Sequence, residues 1–278
     1  ASVDALKIII DQVGGIDKIK AMGIGAPNGN YYNGTIEFAP NLEWGHDGVV
    51  PLADMFSKAL GIPVALTNDA NAAAIGEMTY GVARGMKNFI VITLGTGVGS
   101  GIVVNGQLVY GCDGFAGELG HVIVKENGRS CGCGRNGCLE AYCSATGVAR
   151  TAREILNTTD EPSLLRDLNP DEITSYDVSM AAEKGDKLAL GVYEFTGKLL
   201  GEACANFAAF SSPEAFIFFG GLTKAGDLIM NPIKKAYDER VLNIFKGKAK
   251  FLISGLEGSS AAVLGASAVG WDVTESAK

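Results

Sequence analysis

Short apolar runs alternate along this chain with longer segments in which apolar residues recur every three or four positions. The runs are bounded by glycine, proline or asparagine, which is typical of buried strands. The longer segments have helical spacing, and several end at a glycine. Strands are predicted at 21–27, 63–67, 87–94, 102–104, 107–109, 214–219 and 250–254. Helices are predicted at 3–13, 51–60, 68–80, 139–156, 175–184, 187–210, 225–245 and 259–271.

The alternation of strands and helices predicts the fold class. Together with a hairpin at Asn105-Gly106 it indicates an α/β fold with mixed sheets. No period of 20–50 residues suggests a repeat protein. A chain of 278 residues can form one large domain or two lobes around a substantial core.

Composition narrows the class of protein. Apolar residues make up 47% and charged residues 19% of the chain, as in an ordinary globular protein. No apolar run approaches a membrane span, and residues 1–20 lack a signal-peptide pattern. The net charge of −8, without any block of like charge, argues against a nucleic-acid partner. Six cysteines, half of them clustered with a histidine, fit a reducing compartment, so the expected location is the cytoplasm.

The most informative stretch holds one histidine and three cysteines within eighteen residues, flanked by two glutamates. Each cysteine is close to a glycine that permits a turn, and three cysteines with a histidine form a standard closed zinc site. The alternative is a set of unrelated buried thiols, which seldom cluster with a histidine at this spacing. The stretch comprises Glu118, His121, Cys131, Cys133, Cys138 and Glu140. The remaining thiols, predicted to be buried, are Cys112, Cys143 and Cys204.

A second motif, Asn68-Asp69-Ala70-Asn71, lies where a strand ends and a helix begins. Ligands of open α/β sheets bind at such strand ends. A carboxylate at Asp69 could accept a proton from a substrate hydroxyl. The alternative is that Asn68 or Asp69 only caps the helix, which is common for both residue types.

Two glycine-rich turns are candidates for binding a nucleotide. The sequence Gly95-Thr96-Gly97-Val98-Gly99-Ser100-Gly101 could hold phosphates through backbone amides and the Thr96 hydroxyl. Its spacing fits neither the dinucleotide fingerprint nor the P-loop, and a tight turn between two strands is the alternative. Gly220-Gly221 is the weaker candidate. Phosphoryl transfer fits a phosphate-binding turn combined with a carboxylate base.

These motifs, taken in order, resemble the ROK family of sugar kinases and repressors, most nearly its bacterial glucokinases. They lie at 68–71, 95–101, 117–121 and 131–140, and the resemblance extends from about residue 22 to the final helix. It implies a two-lobed actin-like ATPase (ribonuclease H-like) fold with sugar and ATP in an interlobe cleft. The small lobe would be 1–87, and the large lobe, 88–278, would carry the zinc-binding loop 121–138.

The resemblance also implies roles for individual residues. Asp69 would be the general base for the 6-hydroxyl of a hexose. His121 would contact both zinc and sugar, because its two ring nitrogens are separate. The other implied sugar contacts are Gly25, Asn41, Asn68, Glu118 and Glu140. The implied zinc ligands are His121, Cys131, Cys133 and Cys138. The ATP phosphates would face Thr96 and Gly97, and the adenosine Gly220 and Gly221.

One element of the family is not found. An Asp-x-Gly-Gly-Thr hairpin near the family's N-terminus binds the phosphates and magnesium, whereas Asp11-Gln-Val-Gly14-Gly15 has one residue too many and ends a helix. We therefore expect the first strands of the small lobe to be missing from this chain, which would then turn over ATP poorly or not at all.

The expected activity is phosphorylation of a hexose, with glucose favoured, by ATP and Mg²⁺. N-acetylmannosamine, N-acetylglucosamine, fructose and allose are alternative substrates, and polyphosphate is an alternative donor. A repressor core of the same family is an alternative of another class, which Asp69 and the acidic charge disfavour. A sugar-binding module without catalysis is the third. The family often forms dimers, so a homodimer is expected.

Overall fold

The computed structural model describes residues 2–39, 42–45, 47–256 and 258–276. The chain forms two compact units. Unit 1 comprises Ala1–Met86, Gly101–Gly117 and Gly255–Lys278, and unit 2 comprises Lys87–Ser100 and Glu118–Ser254. The first boundary lies between Met86 and Lys87, one residue before the division predicted after residue 87. The segments 101–117 and 255–278 also belong to unit 1, whereas the prediction had placed both in the large lobe.

The helices and strands are numbered in chain order. The α-helices are α1 Ser2–Gln12, α2 Leu52–Leu60, α3 Asp69–Thr79, α4 Glu140–Cys143, α5 Ala145–Thr158, α6 Ser175–Glu183, α7 Lys187–Ser211, α8 Asp227–Arg240 and α9 Gly258–Ser276. The strands are β1 Met22–Gly25, β2 Gly29–Asn30, β3 Thr35–Glu37, β4 Val49–Val50, β5 Val64–Thr67, β6 Phe89–Leu94, β7 Val98–Val104, β8 Gln107–Leu108, β9 Ala215–Phe219 and β10 Lys250–Ile253. In the part of the chain that the structure describes, no helix is long and apolar enough to cross a membrane.

Unit 1 places α3 against α9 and β1. Its alanine-rich sequence suits this position, because residues 70–77 of the helix are all buried. The approach of α9 is close: a Cβ atom on Gly265 would lie 2.0 Å from the carbonyl oxygen of Ala72. Strand β1 pairs in parallel with β5, which places Gly25 opposite Thr67 at the carboxyl ends of both strands. The antiparallel strands β2, β3 and β4 form a separate sheet.

Unit 2 is built on a sheet in which β10, β9 and β6 run parallel, with β7 next in the order. Strand β7 continues into unit 1, where it pairs with β8 through the predicted Asn105-Gly106 hairpin. Helix α7 packs along α8. Two glycines allow the close approach: a Cβ atom on Gly197 would lie 2.5 Å from the Cβ atom of Pro232, and one on Gly201 would lie 2.3 Å from the carbonyl oxygen of Ile233.

Gly201→Ala is expected to lower the free energy of unfolding by about 2–3 kcal/mol, because the added methyl group forces two packed helices apart. Gly191→Ala is the matched control on the same helix: it has open space around it, and we expect it to raise the free energy of unfolding by about 0.5–1 kcal/mol. Urea denaturation followed by circular dichroism measures both. Equal effects of the two substitutions would contradict the close packing of α7 on α8.

Several sequence predictions differ from the structure, and strands β2, β3 and β4 were not predicted. The helix predicted at 139–156 is broken at Ser144, whose backbone is extended and whose hydroxyl accepts a hydrogen bond from the Gly147 amide to begin α5. The helix predicted at 225–245 ends at Arg240, because Val241 is extended and buried. Cys112 is exposed, so its prediction as a buried thiol was wrong; Cys143 and Cys204 are buried. The turn at 111–114 that carries Cys112 leaves it outside the core.

Candidate active site and metal centre

In unit 2 the structure brings together His121, Cys131, Cys133 and Cys138, whose ligand atoms all lie within 4.8 Å of one another. The Cys131 Sγ atom is 3.6 Å from the Nδ1 atom of His121, and the Cys133 and Cys138 Sγ atoms are 3.6 Å apart. A tetrahedral zinc ion with ordinary bond lengths would separate neighbouring ligand atoms by about 3.5–3.8 Å. The donor set and its spacing therefore fit a closed structural zinc site.

Tight backbone turns hold this metal-binding loop in shape. Residue Cys138 bridges to Ile123, and Ser130 bridges to Asn136, so the two ends of the loop run antiparallel. Gly137 has a φ of +82°, and a Cβ atom on it would lie 1.8 Å from the carbonyl oxygen of Lys125. No other residue type fits there, because the position is both left-handed and crowded.

The three thiols of the cluster differ in acidity. Burial raises the pKa of Cys131 to about 12. Burial also acts to raise the pKa of Cys133, but hydrogen bonds from the backbone and side chain of Arg135 outweigh it and lower the pKa to about 6. The pKa of Cys138 is raised, first by burial. Cys133 therefore offers a thiolate at neutral pH, whereas the other two thiols lose their protons when a metal binds.

In metal-stripped protein we expect iodoacetamide to alkylate Cys133 much faster than Cys131 at neutral pH, because the thiolate is the nucleophile. The rate at Cys133 should fall as the pH drops through about 6, where its thiol becomes protonated. Peptide mass spectrometry after timed alkylation measures each site. Arg135→Gln should move the midpoint to higher pH, and an unchanged midpoint would argue against the arginine as its cause.

His121 presents its two ring nitrogens to different surroundings. The Nδ1 atom faces the thiol of Cys131, while the Nε2 atom lies 4.0 Å from the Oε2 atom of Glu118. Glu118 is about half exposed, with 47% of its side-chain surface accessible, and His121 is less so, at 24%. The Nε2 atom and the Glu118 carboxylate are therefore neighbours, while the Nδ1 atom is directed at the Cys131 thiol.

Glu140 connects the metal-binding loop to the glycine-rich turn. Its Oε2 atom accepts a hydrogen bond of 2.9 Å from the Val98 amide, and its Oε1 atom lies 3.5 Å from the Cys131 Sγ atom. A Cβ atom on Gly97 would lie 2.4 Å from the same Oε2 atom. Gly97 therefore makes room for the carboxylate, so the two motifs form one structure.

The glycine-rich sequence 95–101 forms a tight turn at 95–97 between β6 and β7, and its last four residues belong to β7. Its phosphate-binding role stays a prediction. The Gly95 amide donates to the Gly97 carbonyl, and the side chain of Thr96 is exposed. Gly220 adjoins this turn: its φ is +114°, and a Cβ atom on it would lie 2.4 Å from the carbonyl oxygen of Leu94. Gly221 follows with open space around it. Both predicted nucleotide contacts thus lie at the same edge of the sheet.

In unit 1 the strand-to-helix turn has the predicted cap. The side chain of Asn68 accepts a hydrogen bond from the Ala70 amide at 2.8 Å, so Asn68 caps α3, and its predicted sugar contact stays a prediction. The Oδ1 atom of Asp69 also lies 2.8 Å from this amide, and Asp69 is exposed. Gly25 faces the turn, since a Cβ atom on it would lie 3.5 Å from the Cα atom of Asp69. Asn41, the other predicted sugar contact from this part of the sequence, lies outside the described residues.

Comparison with known sequences decides the family. The sequence model of the ROK family matches residues 3–272. The chain belongs to the ROK family. Among its relatives is the glucokinase of Halalkalibacterium halodurans, 41% identical over 257 residues that cover 91% of this chain and 76% of that protein.

Solved structures of ROK proteins share this fold. The crystal structure of a ROK family glucokinase from Streptomyces griseus in complex with glucose and AMPPNP matches with a TM-score of 0.82 and 35% identity, over 97% of this chain and 87% of that one. A ROK family transcriptional regulator, a homolog of the E. coli MLC protein, matches with a TM-score of 0.83 and 27% identity, over 96% and 66% of the two chains. The predicted fold class is therefore confirmed: the chain has the α/β, actin-like ATPase fold of ROK glucokinases.

Sequence reasoning missed two contributions to this site. The Val98 amide, which binds Glu140, has no signature in a sequence because any residue supplies a backbone N–H. Arg129 lies in the spacer between the histidine and the cysteines, and its side chain is buried against α4 and α5. A lone arginine in a polar spacer is usually exposed, so only the structure distinguishes it.

Proposed function

We propose that the full-length protein catalyses the transfer of the terminal phosphoryl group of ATP to the 6-hydroxyl of a hexose, with glucose as the preferred sugar. The observation that carries the proposal is an exposed aspartate, Asp69, at the carboxyl edge of β5 in a chain 41% identical to a glucokinase. Phosphoryl transfer depends mainly on positioning and charge stabilisation, and a carboxylate to accept the hydroxyl proton completes the requirement.

The proposed mechanism begins at the strand-to-helix turn of unit 1. Asp69 accepts the proton of the 6-hydroxyl as its oxygen attacks the γ-phosphorus of ATP. The bond between that phosphorus and the β–γ bridging oxygen breaks, and ADP is the leaving group. Asn68 holds the backbone of the turn through its cap and offers its amide group to a neighbouring hydroxyl. Gly25 lets α3 pack closely, since a Cβ atom on it would lie 3.0 Å from the Cβ atom of Ala72 and 3.5 Å from the Cα atom of Asp69. Its backbone is proposed as a further sugar contact. Asn41 is proposed as a further sugar contact from the sequence.

A second set of sugar contacts is proposed within unit 2. Glu118, the Nε2 side of His121 and Glu140 are proposed to hydrogen-bond the other sugar hydroxyls. A zinc ion held by the His121 Nδ1 atom and the three thiols would fix this loop. It would have no role in the chemistry, because a site with four protein ligands has no open position.

The nucleotide is assigned to the glycine-rich edge of the sheet in unit 2. Thr96 and Gly97 are proposed to face the phosphates of ATP, which would bind as its magnesium complex. Gly220 and Gly221 are proposed to lie against the adenosine. The exposed Thr96 and the open space at Gly221 suit close approach of a ligand.

A sugar-responsive regulator is the second candidate, favoured by the similarity to the ROK transcriptional regulator. That protein is covered to only 66% by this chain, whereas the Streptomyces griseus glucokinase is covered to 87% at higher identity. The identity and the exposed Asp69 support the kinase over the regulator.

A phosphorylation assay of the full-length protein tests the proposal. The panel contains glucose, fructose, allose, N-acetylglucosamine and N-acetylmannosamine, each with ATP or polyphosphate, with and without Mg²⁺. We expect kcat/KM to be highest for glucose with Mg-ATP, and phosphorus NMR to place the phosphate on O6. Sugar binding without turnover by either donor would indicate a binding module, and specific DNA binding would indicate a regulator. We further expect a cytoplasmic homodimer, and light scattering measures the mass.

A further inference from the structure

Arg129, two residues before Cys131, is the most extensively bonded side chain of the metal-binding loop. Only 8% of its side-chain surface is exposed. Its Nη2 and Nε atoms lie 2.5 and 3.2 Å from the Oε2 atom of Glu154 on α5. A guanidinium presents such a planar fork to a carboxylate, whereas a lysine ammonium is a single point of charge.

The opposite side of the guanidinium binds backbone. Its Nη1 atom donates to the carbonyl oxygens of Ala141 and Gly147, at 3.1 and 3.3 Å. Ala141 lies in α4 and Gly147 in the first turn of α5, so one charged group connects two helices. Its central carbon lies 4.5 Å from the centre of the Tyr142 ring, and the Tyr142 hydroxyl accepts a hydrogen bond of 2.8 Å from the Arg129 amide.

These contacts connect the two parts of the site that must be held together. Arg129 is fixed to the loop that carries Cys131, and Ala141 directly follows Glu140. The Sγ atom of Cys131 and the Oε1 atom of Glu140 are 3.5 Å apart. A small movement of the loop along α4 would therefore displace the thiol and the carboxylate relative to each other. A buried arginine costs desolvation energy, which here is offset by contacts on several sides.

We propose that Arg129 is a positioning residue, which sets the metal-binding thiols and Glu140 at a fixed separation and through it determines the affinity for the sugar. The part that concerns sugar affinity rests on the proposed function. The part that concerns the thiols does not, because metal release can be measured without catalysis. An arginine that only stabilised the fold would not change metal release and sugar affinity together.

The test compares Arg129→Lys with Arg150→Lys. Arg150 pairs with the same Glu154 at 2.9 Å but is exposed, so its substitution controls for the loss of a surface ion pair. For Arg129→Lys we expect zinc transfer to a chromogenic chelator to be about 10–100-fold faster, and the KM for glucose to rise by about tenfold, with the KM for ATP unchanged. Arg150→Lys should leave all three at wild-type values.

Zinc release and a glucose KM that both stay at wild-type values in Arg129→Lys would overturn the proposal. If the variant does not fold, Glu154→Gln decides, because it removes the carboxylate but leaves the contacts to Ala141 and Gly147. It should accelerate zinc release in the same direction, and an unchanged rate would again overturn the proposal. If the variants release zinc faster than the wild type but the wild type phosphorylates no sugar, the proposed function is refuted, whereas the role of Arg129 in holding the thiols is not.

Discussion

Asp69→Asn is expected to lower kcat for glucose phosphorylation by about 10² or more, because the amide cannot accept the proton of the 6-hydroxyl. The KM for glucose should change little, since asparagine keeps the size and the oxygen of the side chain. That oxygen can also continue to accept from the Ala70 amide, so the start of α3 is preserved. Steady-state kinetics with glucose varied at saturating Mg-ATP measures both constants.

The control for this substitution is Asp54→Asn. Asp54 is also exposed and lies in the first turn of a helix, α2, where it pairs with Lys58. The Asp54→Asn variant should retain the full kcat. That result would exclude a general effect of removing an acidic group near a helix N-terminus. Turnover by the Asp69 variant close to the wild-type rate would remove Asp69 from the mechanism.

Cys133→Ser is expected to lose the metal and to raise the KM for glucose by about 10–100-fold, with a lower melting temperature. Three ligands bind zinc much more weakly than four, and the loop that carries His121 and adjoins Glu140 then loses its fixed shape. Cys133 is exposed, so the substitution removes a ligand without opening a cavity. Elemental analysis, glucose titration calorimetry and a thermal melt measure the three effects.

Cys112→Ser provides the matched control, because Cys112 is the other exposed cysteine among the described residues and lies outside the cluster. The Cys112 variant should keep the zinc content, the glucose affinity and the melting temperature of the wild type. If the Cys133 variant lost its zinc yet bound glucose as well as the wild type, the metal-binding loop would have no part in holding the sugar. Wild-type protein purified without chelator and free of zinc would contradict the metal assignment itself.

Most elements could be predicted from the sequence, because their signals are local. The alanine-rich segment after Asn68 forms α3, and the long periodic segment at 187–210 forms α7. The cluster of His121 with three cysteines could also be found, since the donor types and their spacing define the chemistry.

What could not be predicted depends on contacts between distant parts of the chain. The assignment of 101–117 and 255–278 to unit 1 follows from packing against α3, for which no local pattern exists. The hydrogen bond between Glu140 and the Val98 amide spans 42 positions and uses a backbone donor. The exposure of Cys112 likewise depends on where its turn lies, whereas the small residues beside it in the sequence suggested burial.

The chain passes between its units at 86/87, 100/101, 117/118 and 254/255, so unit 1 is assembled from three separate stretches and unit 2 from two. A chimaera that exchanges substrate preference between two ROK proteins would therefore have to transplant non-contiguous fragments together. A single crossover point would instead join half of one core to half of another. Gene shuffling within this family should accordingly yield few folded recombinants unless the breakpoints are chosen in pairs.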